Sequence, residues 1–142
     1  MTIHYKSKSL FYLILISMLV SPFAMGAKAS DYLDGQFFLD LKTVEKRWDS
    51  KEFSQSEFKD GTVKVRAQMA FSLIKGKSFV GRTTEEVKNT LGNFTGYFWS
   101  NSVPAYLIDE GWTKNLDSWQ IVFLIDDSGK VKEVKVHKNC CN

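Results

Sequence analysis

Residues 119–138 read WQIVFLIDDSGKVKEVKVHK, and their reading decides the fold. Trp119–Asp126 is apolar on both faces, the pattern of a strand inside a sheet rather than at its rim. The DDSG stretch that follows is a hairpin turn, with Gly129 available for positive φ. Lys130–Lys138 then returns as the antiparallel partner. Val134 and Val136 share one face, whereas Val131 falls on the other parity, which predicts a bulge or a late strand start.

Working back from the hairpin, DEGWTKNLDS (109–118) is a polar loop holding one tryptophan. Ala105–Ile108 is a second strand, Pro104 interrupts the pattern, and Tyr97–Trp99 is an aromatic-rich strand before it. At Gly92 the period changes from helical to strand-like. Thr83 opens a helix with a capping box: Thr83 at the N-cap, Glu86 three residues on, and Glu85 beside it at the positive helix end. Val87, Thr90 and Leu91 give its buried face, and Gly92 occupies the left-handed position that ends it. Val63, Ala67, Ala70, Phe71 and Ile74 mark another helix, closed by Gly76. Residues 51–62 are polar and turn-rich and read as a loop. From Asp31 to Ser50, Phe37, Leu41, Val44 and Trp48 fall on one helical face, which predicts a first helix beginning near Gly35. Helices first and strands after is an α+β arrangement: two or three N-terminal helices packed on a small antiparallel sheet of three to four strands.

The first 29 residues are set apart. Lys6 and Lys8 precede an apolar run from Leu10 to Val20, Pro22 breaks it, and small residues follow, the layout of a secretory signal peptide. The run is well short of the roughly 20 residues a membrane-spanning helix needs. Cleavage after Gly26 or after Ala29 satisfies the small-residue rule, and the second leaves a single domain over residues 30–142. No cysteine lies near the cleavage region, so no membrane anchor is expected after processing. The formal charge of +3 changes meaning with it. Removing Lys6, Lys8 and Lys28 leaves 16 basic against 16 acidic side chains. A neutral mature chain gives no argument for nucleic-acid binding.

Cys140 and Cys141 are the only thiols, and they are adjacent. Consecutive Cα atoms lie about 3.8 Å apart, closer than the roughly 4.4–6.8 Å of ordinary disulfides. The pair is a strained vicinal bridge, two free thiols, or a link to another chain. It is not a staple of the fold.

The stretch from Val80 to Val136 resembles the BamE/SmpA-like outer-membrane assembly lipoprotein family. The matching residues are Gly81, Thr83, Val87, Leu91 and Gly92 in the helix, and Asp126, Gly129, Val131 and Val134 in the hairpin. The resemblance implies two helices against a three-stranded sheet, an architecture similar also to the β-lactamase inhibitory protein repeats. The lipobox cysteine of that family is absent here, and the helical stretch 31–74 precedes the matching part.

Candidate chemistry is sparse. His137 with Cys140 or Cys141 is too close along one strand to converge as a nucleophile and base. His-x-x-Cys-Cys offers at most three soft-metal ligands at a chain end, so His137, Cys140 and Cys141 are only weak metal candidates. Asp126 and Asp127 read as hairpin-turn residues. No catalytic residue and no cofactor are expected. The remaining signal is aromatic. Alternation puts Tyr97 and Trp99 on one face and Phe98 on the other, and helices on one side of a sheet cannot cover both. Either some rings are exposed, or the helix 31–50 lies across the second face. Exposed rings beside acidic loops are anchors of protein recognition. The expected partner-binding surface is therefore Tyr97, Trp99, Tyr106 and Trp112, with Asp109 and Glu110 at its rim. The expected function is that of an exported, periplasmic, non-catalytic protein-binding domain. It would be an inhibitor or immunity protein against an envelope-acting toxin or hydrolase, with an envelope-biogenesis factor as the alternative.

Overall fold

The computed structural model describes residues 38–111 and 118–139. The chain is α+β: helices come first and a four-stranded antiparallel sheet closes the fold. The elements are β1 (Phe38–Leu39), α1 (Leu41–Trp48), α2 (Gln55–Asp60), α3 (Val63–Gly76), α4 (Thr84–Leu91), β2 (Ala105–Asp109), β3 (Trp119–Ile125) and β4 (Val131–Lys138). Strand order is β1-β4-β3-β2, so the most apolar strand, β3, is internal. No helix among the described residues is long and apolar enough to cross a membrane.

The hairpin forms as its residues dictate. Asp126 Oδ1 accepts from the backbone of Ser128 and Lys130 and from the Ser128 hydroxyl, and Gly129 takes φ +76°. These hydrogen bonds, the Ser128 hydroxyl first, hold the Asp126 carboxyl below its usual pKa. The register shifts where Ile125 pairs with Val131, the bulge that the parity of Val131 requires. The capping box of α4 is complete in both directions, and Gly92 ends that helix at φ +87°. Backbone bonds from Gly81 to Val131 and from Val131 to Arg82 tie the start of α4 to β4.

Four local expectations are corrected. The helix expected from Gly35 begins at Leu41, because Asp40 caps it by accepting from Thr43 N–H at 2.9 Å. Phe38 and Leu39 pair instead with His137 and Val136 as β1; the start near Gly35 and Phe37 lies outside the described residues. Within the expected loop 51–62, Gln55–Asp60 is helical, since Phe58 is fully buried against Phe53 and Tyr106 and fixes that turn in the core. Helix α3 runs through Gly76, and Lys77 takes the left-handed cap. Tyr97–Trp99 is no strand but a tight irregular turn, described below.

One sheet face carries the main core. Tyr106, Ile108, Trp119, Ile121, Phe123, Val131, Val134 and Val136 meet Val44, Phe58, Ala67, Met69, Leu73, Val87 and Leu91 from the helices and Phe79 from the turn between α3 and α4. Helix α1 packs on α3 on this same side. It therefore does not lie across the second face. That face holds a smaller cluster of Phe98, Ala105 and Val122, flanked by Phe38, Val103 and Leu124. Its cover is the chain's own segment between Gly96 and Val103.

Candidate functional site

The segment over the second face is fixed from below. Gln120 is the second residue of β3 and is fully buried. Its Oε1 accepts from Tyr97 N–H at 3.1 Å, and its Nε2 donates to Tyr97 C=O at 2.8 Å. The same Nε2 donates to Asn139 Oδ1 at 2.7 Å. Both backbone polar groups of Tyr97 are thus paired, as buried backbone must be. Thr95 and Gly96 donate to Ala105 C=O and attach the segment to the rim of β2. Gly96 has no room for a side chain: a Cβ there would stand 2.3 Å from Gln120 Oε1.

Phe98 is the plug. Its ring lies 4.8 Å from the His137 ring and 6.0 Å from Phe38, centre to centre. His137 is half-buried, and burial holds its pKa below the ordinary value, with a hydrogen bond donated by the ring to Asn139 opposing the shift. The imidazole Nδ1 is 3.5 Å from Gln120 Nε2. His137 is thereby part of the packing beneath the turn. Cys140 and Cys141 lie outside the described residues.

With Phe98 pinned inward, its neighbours point outward. Tyr97 is 60% exposed and Trp99 68%. Ser100 N–H closes onto Phe98 C=O at 2.6 Å across Trp99, whose φ is +60°. A three-residue turn with positive φ at its centre is rare and strained for any side chain, and more so for a bulky one. The Tyr97 hydroxyl donates to Trp99 C=O at 2.9 Å and locks the two rings' backbones together. From Asn93 to Ile108 the chain carries no charged residue. The result is an apex with two large exposed rings on a strained turn whose own residues carry no charge.

The other expected binding residues are placed elsewhere. Tyr106 is buried, contrary to its expected exposure. It pairs with Ile121 on the helix-facing side, its ring packs on Phe58, Phe94 and Phe123, and its hydroxyl donates to Gly92 C=O at 2.8 Å. Burial pushes its phenol pKa well up. Asp109 pairs with Arg47 at 3.6 Å and accepts from Gly111 N–H. The Arg47 guanidinium lies over the rings of Trp48 and Trp119. With Glu110, Asp109 lines a groove beside Trp48, Lys64 and Ile108, on the helix-facing side and away from the apex. Trp112 lies outside the described residues. The structure therefore brings Tyr97 and Trp99 together and separates them from Tyr106, Asp109 and Glu110.

Sequence reasoning missed Gln120 and Gly96. The signal for Gln120 was present: it is the one polar side chain inside the apolar run WQIVFLI. Its partner 23 residues away was not readable. The chain matches no family model, no curated protein and no solved structure.

Proposed function

We propose that this chain is an exported binding domain that acts by occupying another protein, in the manner of an inhibitor or immunity protein against an envelope toxin or hydrolase. One observation carries the reading: Tyr97 and Trp99 stand exposed on a strained turn that a buried amide and a buried ring hold in place. Backbone strain costs on the order of 1–3 kcal/mol and persists where the surroundings over-determine it, which is characteristic of recognition sites. Exposed Tyr and Trp on a rigid support are the residue types that dominate interface energetics. The turn itself carries no charged residue, which favours an apolar pocket as the complementary partner surface. The role is binding rather than catalysis, since the histidine that could serve chemistry is packed between rings under the turn. Export rests on the layout of residues 1–29.

The envelope-biogenesis reading draws on the resemblance of Val80–Val136 noted in the sequence, with two helices and three strands following one another over residues 63–138 as support. One experiment separates them. Envelope extracts from the native host are passed over the wild-type protein and over Trp99→Ala, and captured partners are identified and assayed. The inhibitor reading expects a hydrolase or toxin that is captured and silenced by wild type and released by Trp99→Ala. A membrane assembly component captured equally by both proteins sinks it.

A further inference from the structure

We infer that Gln120 is the positioning residue of the Tyr97–Trp99 apex: its buried side-chain amide stands in for a neighbouring strand and sets the conformation in which Trp99 is displayed. A carboxamide carries the same donor and acceptor pair as a peptide unit. Gln120 uses them on Tyr97 as a paired strand would, accepting from its N–H and donating to its C=O. The amide cannot turn over, because its second N–H is committed to Asn139 Oδ1. Asn139 is itself fixed, its backbone N–H on Ser118 C=O at 2.8 Å and its Nδ2 on Ser118 Oγ at 3.1 Å. Gly96 completes the arrangement, since any side chain there would collide with the Gln120 oxygen.

The consequence reaches Trp99 through two residues of backbone. With Tyr97 held at both polar groups and Phe98 seated between Phe38 and His137, the chain must reverse within one residue to leave the face. Trp99 takes the positive φ that this reversal demands. An apolar residue at 120 would leave the Tyr97 N–H and C=O unpaired over an apolar cluster, and the strained turn would relax. Pre-organisation of this kind reduces the ordering cost of binding. The purpose assigned to the apex rests on the binding reading above; the positioning itself does not.

The test uses the isolated full chain labelled with 5-fluorotryptophan, and amide hydrogen exchange. Gln120→Met keeps volume and removes the amide. The expected result is a shifted or broadened Trp99 fluorine line, with exchange at Tyr97 and Ser100 accelerated about tenfold or more relative to Phe123. Ile121→Val serves as the control: it lowers the melting temperature from the opposite face and leaves the Trp99 line unmoved. Should Gln120→Met fail to fold, Asn139→Ala gives a milder form of the same readout. Gly96→Ala should disturb the Trp99 line in wild type and much less when combined with Gln120→Ala. An unchanged Trp99 line in Gln120→Met or Asn139→Ala overturns the inference, as does a Gly96→Ala effect that persists undiminished in the double variant. None of these readouts needs a partner. The apex can therefore prove positioned while the binding reading fails, or the reverse.

Discussion

At the scale of single residues, Trp99 sets stability against display. Its ring is mostly in water and its backbone is in the region that favours glycine. Trp99→Gly should therefore raise stability by about 1 kcal/mol, because relief of left-handed strain outweighs the small loss of contact. The same change should abolish partner binding. Chemical denaturation of the two proteins checks the first half: a less stable glycine variant would show that the turn is not strained. For binding, Trp99→Ala should cost about 2 kcal/mol or more, near thirtyfold in Kd, with an unchanged circular dichroism spectrum. Tyr106→Phe should do the opposite, weakening the fold by about 1 kcal/mol through the lost bond to Gly92 and leaving binding intact. His137 adds a pH dependence. Its folded pKa is below the ordinary 6.5, so the unfolded chain binds protons more readily. Its contribution is fully present above about pH 6.5 and is lost as pH falls through the lower folded value. Melting curves of wild type and His137→Gln should thus converge or cross below about pH 6.5; a His137→Gln variant with the same pH slope as wild type would exclude the residue as the source.

Among the elements, α2 is the one that packing created. Its cap Ser54 makes no side-chain capping bond, and its sequence is polar apart from Phe58. An isolated six-residue helix is far below the length that is stable in water. It exists because Phe58 is enclosed by Phe53 and Tyr106. Phe58→Ala should cost about 3–5 kcal/mol, as much as any substitution in the main core. A cost below about 1 kcal/mol would return 51–62 to the status of a surface loop. Helix α4 is the contrasting case: its capping box and terminal Gly92 were legible because the bonds that define them span three or four residues. Strand β2 owes its protected edge to distant residues. Arg66 donates to Leu107 C=O, Thr95 Oγ1, Gly61 C=O and Phe58 C=O, and Thr95 covers Leu107 N–H. A guanidinium spent on uncharged acceptors closes the strand to edge pairing.

For the molecule as a whole, the cysteines and the salt response follow from the layout. Adjacent residues close no loop and remove almost no entropy from the unfolded chain. Replacing both Cys140 and Cys141 by serine should leave the melting temperature nearly unchanged; a large drop would mean that the pair holds a metal or links two chains. Asp109 is paired with Arg47 on the helix-facing side, and no charged residue lies between Asn93 and Ile108. Association through the apex should consequently vary little with ionic strength, and Asp109→Asn should leave it unchanged. A steep loss of on-rate between low and physiological salt would point to the groove beside Trp48 instead. The sequence by itself determined the α+β order, the capped helix, the hairpin with its bulge and the internal position of β3. Those features depend on hydrogen bonds and side-chain parity within a few residues. Tertiary structure alone decided which rings meet water. Tyr106 and Trp99 are both aromatic residues in the apolar-rich stretch between Gly92 and Asp109, and nothing local distinguishes them. One is enclosed because β2 turns it toward the helices; the other is displayed because Gln120, remote in sequence, grips the backbone beside it and Phe98 fills the face below.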